Sequence, residues 1–201
     1  MRVYVPDSTI AKRFSGEDIG IILCSHDRKC TGWDFVFDNG AYVSWKNKVE
    51  WDERKWLRLA KKISTKSRVQ WAVVPDVVTD RAATLESWHQ WAGYMKYELG
   101  FRLAMAVQDG MTPADIPSDA GDIIRPDVIF VGGSTEWKWR TLYTWVNAFP
   151  RIHVGKANSL RQLSAAHDAG VESVDGTGVT FAAGRVTLRQ YFNRIKTPRM
   201  L

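Results

Sequence analysis

Short apolar runs rich in β-branched residues alternate along this chain with longer amphipathic stretches. The runs are GIILC (20–24), WDFVF (33–37), VQWAVV (69–74), FRLAMAV (101–107), PDVIFV (126–131), RIHVG (151–155) and VESV (171–174). Most are apolar at consecutive positions, the pattern of a strand covered on both faces. Helical patterns lie between several of them. WDERKWLRLAKKIS sets Trp51, Trp56, Leu57 and Leu59 against a basic face. Thr79-Asp80 can cap a helix through RAATLESWHQWAGYMKYEL, with Leu85, Trp88, Trp91 and Met95 apolar and Gly100 as its stop. Ser134 or Thr135 can open EWKWRTLYTWVNAF. Asn158 or Ser159 can open SLRQLSAAHDA, which Gly170 closes. Buried strands alternating with helices read as parallel β/α units. Seven or eight of them predict an α/β fold, a compact (β/α)₈ barrel, as one domain over residues 1–201. The chain is short for that fold, so some helices must be trimmed or replaced by loops. No linker or fixed-period repeat divides it.

Composition adds boundaries. At 201 residues and 45% hydrophobic, the chain can bury one sizeable core. Cys24 and Cys30 are too few for a disulfide framework and lack the neighbours of a zinc site. A reducing cytoplasm is the expected compartment. No apolar run approaches a membrane span, and MRVYVPDSTIAKRF lacks the apolar core of a signal peptide, so no membrane partner is expected. The four His, at 26, 89, 153 and 167, have no metal-ligand spacing. His153 reads as a structural strand residue and His26 as a loop residue. Without a dinucleotide fingerprint or P-loop, no cofactor is expected. The net charge of +6 and ten Trp are compatible with phosphate contacts and base stacking. They are equally compatible with a Trp-rich core and ordinary charge scatter.

The candidate chemistry lies where the apolar runs stop. In order, the runs hand over to Asp38-Asn39-Gly40, Pro75-Asp76, Gln108-Asp109-Gly110, Gly132-Gly133-Ser134, Gly155-Lys156 and Asp175-Gly176-Thr177. In a parallel barrel these C-terminal ends open on one face, where sites are assembled from several loops. A single Asp before a helix is commonly an N-cap. A succession of acids and amides at one mouth points to more than capping.

These stretches resemble the tRNA-guanine transglycosylases and their DNA-directed relatives. DNGAY (38–42) is similar to the family's DSGGF, and VPDVV (74–78) falls where the family places an Asp that reads the base. AVQDG (106–110) resembles IVQGG, VGGS (131–134) resembles GGLAVGE, and HVGKA (153–157) resembles MGVG. VESVDGT (171–177) occupies the place of VDMFDCV, whose acid is the nucleophile. The resemblance covers roughly residues 34 to 180. The family's CxCxxC…His zinc site is missing, the chain is about half the usual length, and GGLAVGE is reduced to GGS. Those departures point to the DNA-modifying branch, often phage-encoded, with no zinc subdomain; the cytoplasm would then be that of the host.

The resemblance implies a base exchange at C1′ of a nucleotide, with DNA as polymer partner, tRNA as the alternative, and a free 7-deazaguanine as second substrate. Asp175 is then the nucleophile, although Asp-Gly is also a turn signal. Asp38 is the acid/base that protonates the departing guanine. Asp76 accepts from the base's N1–H and exocyclic amine, and Gln108 donates to O6. Backbone N–H groups at Gly132 and Gly133 meet O6 or a 7-substituent. Tyr42 stacks on the base, and Asn39 makes a second base or sugar contact. Each of these residues also fits a turn, cap or core role. Trp137, Lys138 and Arg140 could grip a flipped-out nucleotide, or form one helical turn with a buried Trp and a solvated Lys. Arg185 and Arg189, with Arg194, Lys196 and Arg199, could meet phosphates from one helical face, or simply be solvated. Two rivals stay open: a hydrolase or deoxyribosyltransferase acting on free nucleosides, and an inactive nucleic-acid-binding subunit. No signal bears on oligomeric state.

Overall fold

Eight parallel strands close into a barrel in sequence order. They are β1 Arg2–Val5, β2 Ile19–Leu23, β3 Phe35–Phe37, β4 Val69–Val73, β5 Leu103–Val107, β6 Val128–Val131, β7 Ile152–Val154 and β8 Ser173–Asp175. β8 returns to β1 with Val174 opposite Val3 and Asp175 opposite Tyr4. The structure is a computed structural model. It describes residues 1–6, 8–23, 32–118, 124–176, 178 and 182–196, without the side chains of Ser8 and Ala182. Cys24, His26, Cys30, Thr177 and Arg199 lie outside the described residues.

The expected barrel is therefore present, and the strand unnamed by the apolar pattern is β1, RVYV. Along each strand, side chains alternate between two layers. Val3, Ile21, Phe35, Ala72, Leu103 and Ile129 face outward into the layer beneath the helices. Tyr4, Val36, Trp71, Ala104, Ala106 and Val128 fill the barrel itself, with Ile22 and Phe130 packed against them. The same parity turns His153, Ser173 and Asp175 inward on β7 and β8. Gly20 is small for a reason: a Cβ there would lie 2.5 Å from the Tyr4 ring.

The helices are α1 Ser8–Arg13, α2 Ala41–Lys46, α3 Glu53–Ser64, α4 Arg81–Gly93, α5 Thr135–Ala148, α6 Leu160–Asp168 and α7 Ala182–Lys196. Trimming is visible in α1 and α2, six residues each, and after β5 the described residues hold only a 3₁₀ turn, Pro113–Asp115. Caps select the starts. Asp52, Asp80, Ser134 and Ser159 each accept a backbone N–H from the first turn of α3, α4, α5 and α6. α4 runs on into a π-helical turn, Tyr94–Glu98, before Gly100 ends it at φ 70°.

Of the two readings left open for the Trp content, the core reading holds. Trp56, Trp71, Trp88, Trp137 and Trp145 are buried, whereas Trp45 is 51% exposed. Most of the Trp content therefore serves the core.

Candidate active site

The first acid owes its position to a glycine. Asp38 follows β3, and its N–H donates to the Leu23 carbonyl at 2.7 Å, extending the β2–β3 ladder past the strand end. Gly40 then takes φ 77°, a left-handed conformation that glycine adopts without Cβ strain, and turns the chain into α2. Its N–H donates back to Asp38 Oδ1 at 2.8 Å.

Between them, Asn39 is 4% exposed and fully committed. Its Nδ2 donates to the Val74 carbonyl at 3.0 Å and to Asp76 Oδ1 at 2.7 Å, while its Oδ1 accepts from Ala41 N–H at 2.7 Å. Asn39 thus holds Asp76 rather than presenting its amide to a ligand. Gln108 grips the other oxygen, with Nε2 2.7 Å from Asp76 Oδ2. Its Oε1 accepts from Thr79 N–H at 3.2 Å. One Nε2 hydrogen of Gln108 is left over. Asp76 is therefore a carboxylate clamped between two amides just beyond β4.

Asp175 closes the set from β8. Oδ2 stands 3.1 Å from His153 Nε2, and Oδ1 accepts from the Lys156 N–H at 3.0 Å. His153 is fully buried between Phe130, with ring centroids 4.6 Å apart, and Trp71, at 4.9 Å. Its Nδ1 lies 2.9 Å from Ser173 Oγ. Two lysines reach this end of the barrel. Lys138, on α5, is 2% exposed and its Nζ donates to the Gly155 carbonyl. Lys156 has a left-handed φ of 60°, unusual outside glycine, and its Nζ sits 2.8 Å from the Tyr42 ring centroid.

Burial and charge push the carboxylates apart. Burial raises Asp38 to about 7; the Gly40 N–H pulls down, the Asp175 and Asp76 charges push up, and Lys156 pulls down. Burial also raises Asp76, against the donors from Asn39 and Gln108. Burial acts on Asp175 in the same sense, yet the bond and charge of His153, the Lys156 N–H and the Lys138 charge together hold it below the ordinary carboxylate range. An ionised carboxylate only accepts, so His153 Nε2 carries the proton. Burial lowers Lys138 to about 8, opposed by the Asp175 charge.

Other expected contacts move. The Gly132 N–H donates to the Val107 carbonyl at 3.2 Å, because the β5–β6 ladder continues there, so it does not face a base. Gly133 is at φ 67°, and a Cβ would fall 2.3 Å from Asp109 Oδ1. Asp109 instead accepts from both N–H and Oγ of Ser134, at 2.6 Å each. Trp137 is buried against Trp145, and Lys138 points inward, so neither is a surface grip for nucleic acid. Arg140 is exposed and pairs with Glu136 at 3.4 Å, one turn back on a solvated face. Arg185 lies in the first turn of α7, on the side of the mouth. Arg189 lines a groove with Arg13, Phe14 and Glu17, residues that precede the start of β2, and so lies toward the opposite end of the barrel. Tyr42 does border the site, with the Lys156 ammonium on its ring.

Asp38, Asp76, Gln108 and Asp175 thus come to one mouth, as their strand-end positions predict. His153, Lys138 and Lys156 join them at the mouth, a place the sequence pattern does not give to His153 or Lys138 and a role it does not assign to Lys156. The signal for His153 was available: it shares inward parity with Ser173 and Asp175 on the neighbouring strand. Among the described residues, no group of three His, Cys, Asp or Glu side chains is placed to hold a metal ion. No described helix is long and apolar enough to cross a membrane.

No protein-family model matches the chain, and no curated protein matches it significantly. Solved structures share the fold. A 3-hexulose-6-phosphate synthase aligns with TM-score 0.53 at 10% identity, over 96% of this chain and 99% of the other. A phosphoribosyl anthranilate isomerase from Thermococcus kodakaraensis aligns with TM-score 0.51 at 12% identity, over 98% and 99%. At such identities the likeness is one of barrel architecture.

Proposed function

We propose that this protein is a transglycosylase that exchanges a guanine in DNA for a free 7-deazaguanine through a covalent Asp175 intermediate. One observation carries the reading: two carboxylates share the mouth in unlike settings, Asp175 held by His153 Nε2 and the Lys156 N–H, Asp38 by the Gly40 N–H. Burial thus pushes Asp38 up to about 7, while Asp175 stays below the ordinary carboxylate range. Carboxylates with such divergent proton affinities divide naturally into an acid/base and a nucleophile. An Asp175 oxygen attacks C1′ as the C1′–N9 bond breaks, and the bonding electrons leave with the purine. Asp38 supplies the proton that the departing guanine takes. The incoming 7-deazaguanine then returns a proton to Asp38, its N9 attacks C1′, and the C1′–O bond gives its electrons back to Asp175. Two displacements retain configuration, as in retaining glycosidases.

Asp76 offers each oxygen's remaining lone pair to the base's N1–H and amine. The spare Nε2 hydrogen of Gln108 suits O6. Asn39 positions Asp76 and touches no substrate in this scheme. A base stacked on Tyr42 displaces the Lys156 ammonium from that ring. A duplex must present its guanine extrahelically, because C1′ is inaccessible within the stack.

The test uses duplex DNA carrying labelled guanine, tRNA in parallel, and a panel of 7-deazaguanines. Label release from DNA that requires the added base, and is lost in Asp175→Ala, is the expected result. Release from tRNA alone overturns the DNA assignment. Absence of release from both polymers overturns base exchange.

A further inference from the structure

The exposed face of α3 carries a strip of cations that the active site does not use. Arg54, Lys55, Arg58, Lys61 and Lys62 are all exposed, while Trp56, Ala60 and Ile63 bury the opposite side. At a helix's angular spacing of about 100° per residue, the five cations fall within roughly a third of the circumference. They form three tiers, Arg54/Lys55, Arg58 and Lys61/Lys62, about 5–6 Å apart along the axis. Glu53 is the only acid in the helix. Residues 41–66 contain eight Lys and Arg against three Asp and Glu, a net of +5. The whole chain nets +6, so this segment holds nearly all the excess charge. None of Arg54, Lys55, Arg58 and Lys61 pairs with a described carboxylate in a salt bridge such as joins Arg151 to Glu172.

This strip is joined to the mouth. Trp51, just ahead of α3, donates its Nε1–H to the Asn39 carbonyl at 2.9 Å. Trp45 on α2 is 51% exposed, and its ring centroid lies 5.7 Å from that of Tyr42, which borders the site. An exposed indole beside the entrance and a cation ladder leading away from it match a polyanion that also offers flat bases.

We infer that duplex DNA docks on the α2–α3 segment, with the α3 cations on its phosphates and Trp45 against a base beside the one that enters the barrel. The inference rests on the nucleic-acid reading above. It moves the contact surface away from Trp137 and Lys138, which are buried, and from Arg189, whose helix follows β8 on another side of the barrel. The α3 contacts carry no sequence information; they set the approach of the strand.

The test is equilibrium binding of a fluorescent duplex to the full chain, followed by anisotropy from about 50 to about 200 mM salt. Each neutralised phosphate contributes about 0.9 to the slope of log affinity against log salt. The variant Arg54→Ala/Arg58→Ala/Lys61→Ala is expected to flatten the slope by about 2.7 and to weaken binding at low salt at least tenfold. Arg54→Lys/Arg58→Lys/Lys61→Arg keeps the charges and is expected to keep the slope, which separates charge from folding. Trp45→Ala is expected to bind roughly tenfold more weakly, on the scale of one lost base–aromatic stack. An unchanged slope in the triple Ala variant, or a loss found instead in Arg185→Ala/Arg189→Ala, overturns the docking surface. Absence of duplex binding by the wild-type chain overturns it too. Guanine release with an unchanged slope leaves base exchange standing and removes the strip; the predicted slope without release does the reverse.

Discussion

His153 Nε2 and Asp175 Oδ2 stand 3.1 Å apart inside the barrel, on adjacent strands whose inward parity they share. This contact helps separate Asp175 from the other two carboxylates at the mouth, which burial drives upward. His153→Phe removes the donor and fills the space with a comparable ring. Losing a hydrogen bond to a charged group costs about 1.5–3 kcal/mol, or roughly ten- to a hundredfold in rate if it acts on the nucleophile. The sign for pH is definite. Asp175 without His153 holds its proton more tightly, so the acid-side loss of guanine release begins at higher pH. His153→Gln retains a donor and is expected to shift that limb less. An identical acid limb in wild type and His153→Phe would remove His153 from the mechanism.

Lys156 acts on the opposite limb. The first displacement needs Asp38 protonated, so kcat/KM is expected to fall as pH rises through about 7. The Lys156 charge lowers Asp38. Lys156→Met therefore raises it, and activity persists to higher pH than in wild type, whatever happens to the maximal rate. Lys156→Arg keeps a cation and is expected to keep the limb in place. The check is a pH series of base release at low DNA concentration. A downward shift of the alkaline limb in Lys156→Met would contradict the assignment of that limb to Asp38.

The barrel was legible because its strands are covered on both faces and read as continuous apolar runs. β1 was not, since RVYV is four residues long, begins with an Arg and is followed at once by Pro6. The acids and Gln108 were legible because they stop those runs. What they do next was not. Asn39 and Gln108 are amides at strand ends, and only the approach of β3, β4 and β5 shows that both clamp Asp76. Trp137-Lys138 fits either face of a helix from its spacing. The Ser134 cap and the seat of α5 on β6 turn Lys138 inward, where its stem is buried and its ammonium reaches the Gly155 carbonyl. A strand and the helix after it are written independently in sequence, and their rotational register is a tertiary outcome.

Gly133 and Gly110 separate two reasons for glycine. Both have positive φ, 67° and 82°. Around Gly110 nothing lies within 4 Å of an added Cβ, whereas at Gly133 it would meet Asp109 Oδ1 at 2.3 Å and the Trp137 ring at 2.8 Å. Gly110→Ala is expected to cost about 1 kcal/mol, the penalty of the left-handed backbone alone. Gly133→Ala adds a steric clash and disturbs the Asp109–Ser134 pair, for a total of at least about 3 kcal/mol. Urea denaturation of the two variants compares them directly. Equal midpoints would show that Asp109 and Trp137 yield freely.

Asp38 is expected to destabilise the protein above neutrality. Its affinity for a proton is raised from 3.8 to about 7 on folding. The folded chain binds a proton that the unfolded chain releases, so the contribution to stability is complete below about pH 4 and is lost as pH rises through 7. At pH 8 the native state carries this carboxylate half-buried and charged, near Asp76 and Asp175. Asp38→Asn keeps an oxygen for the Gly40 N–H and carries no charge at any pH. The shift corresponds to at most about 4 kcal/mol, and partial solvation brings the gain nearer 1–3 kcal/mol. For a chain of this size that raises Tm by about 5 °C at pH 8. The gain shrinks toward zero as pH falls to about 4, while base exchange is lost at every pH. Thermal melts of the two proteins at pH 8, 6 and 4 decide it. A constant difference across the series would mean that Asp38 titrates alike in the folded and unfolded chains.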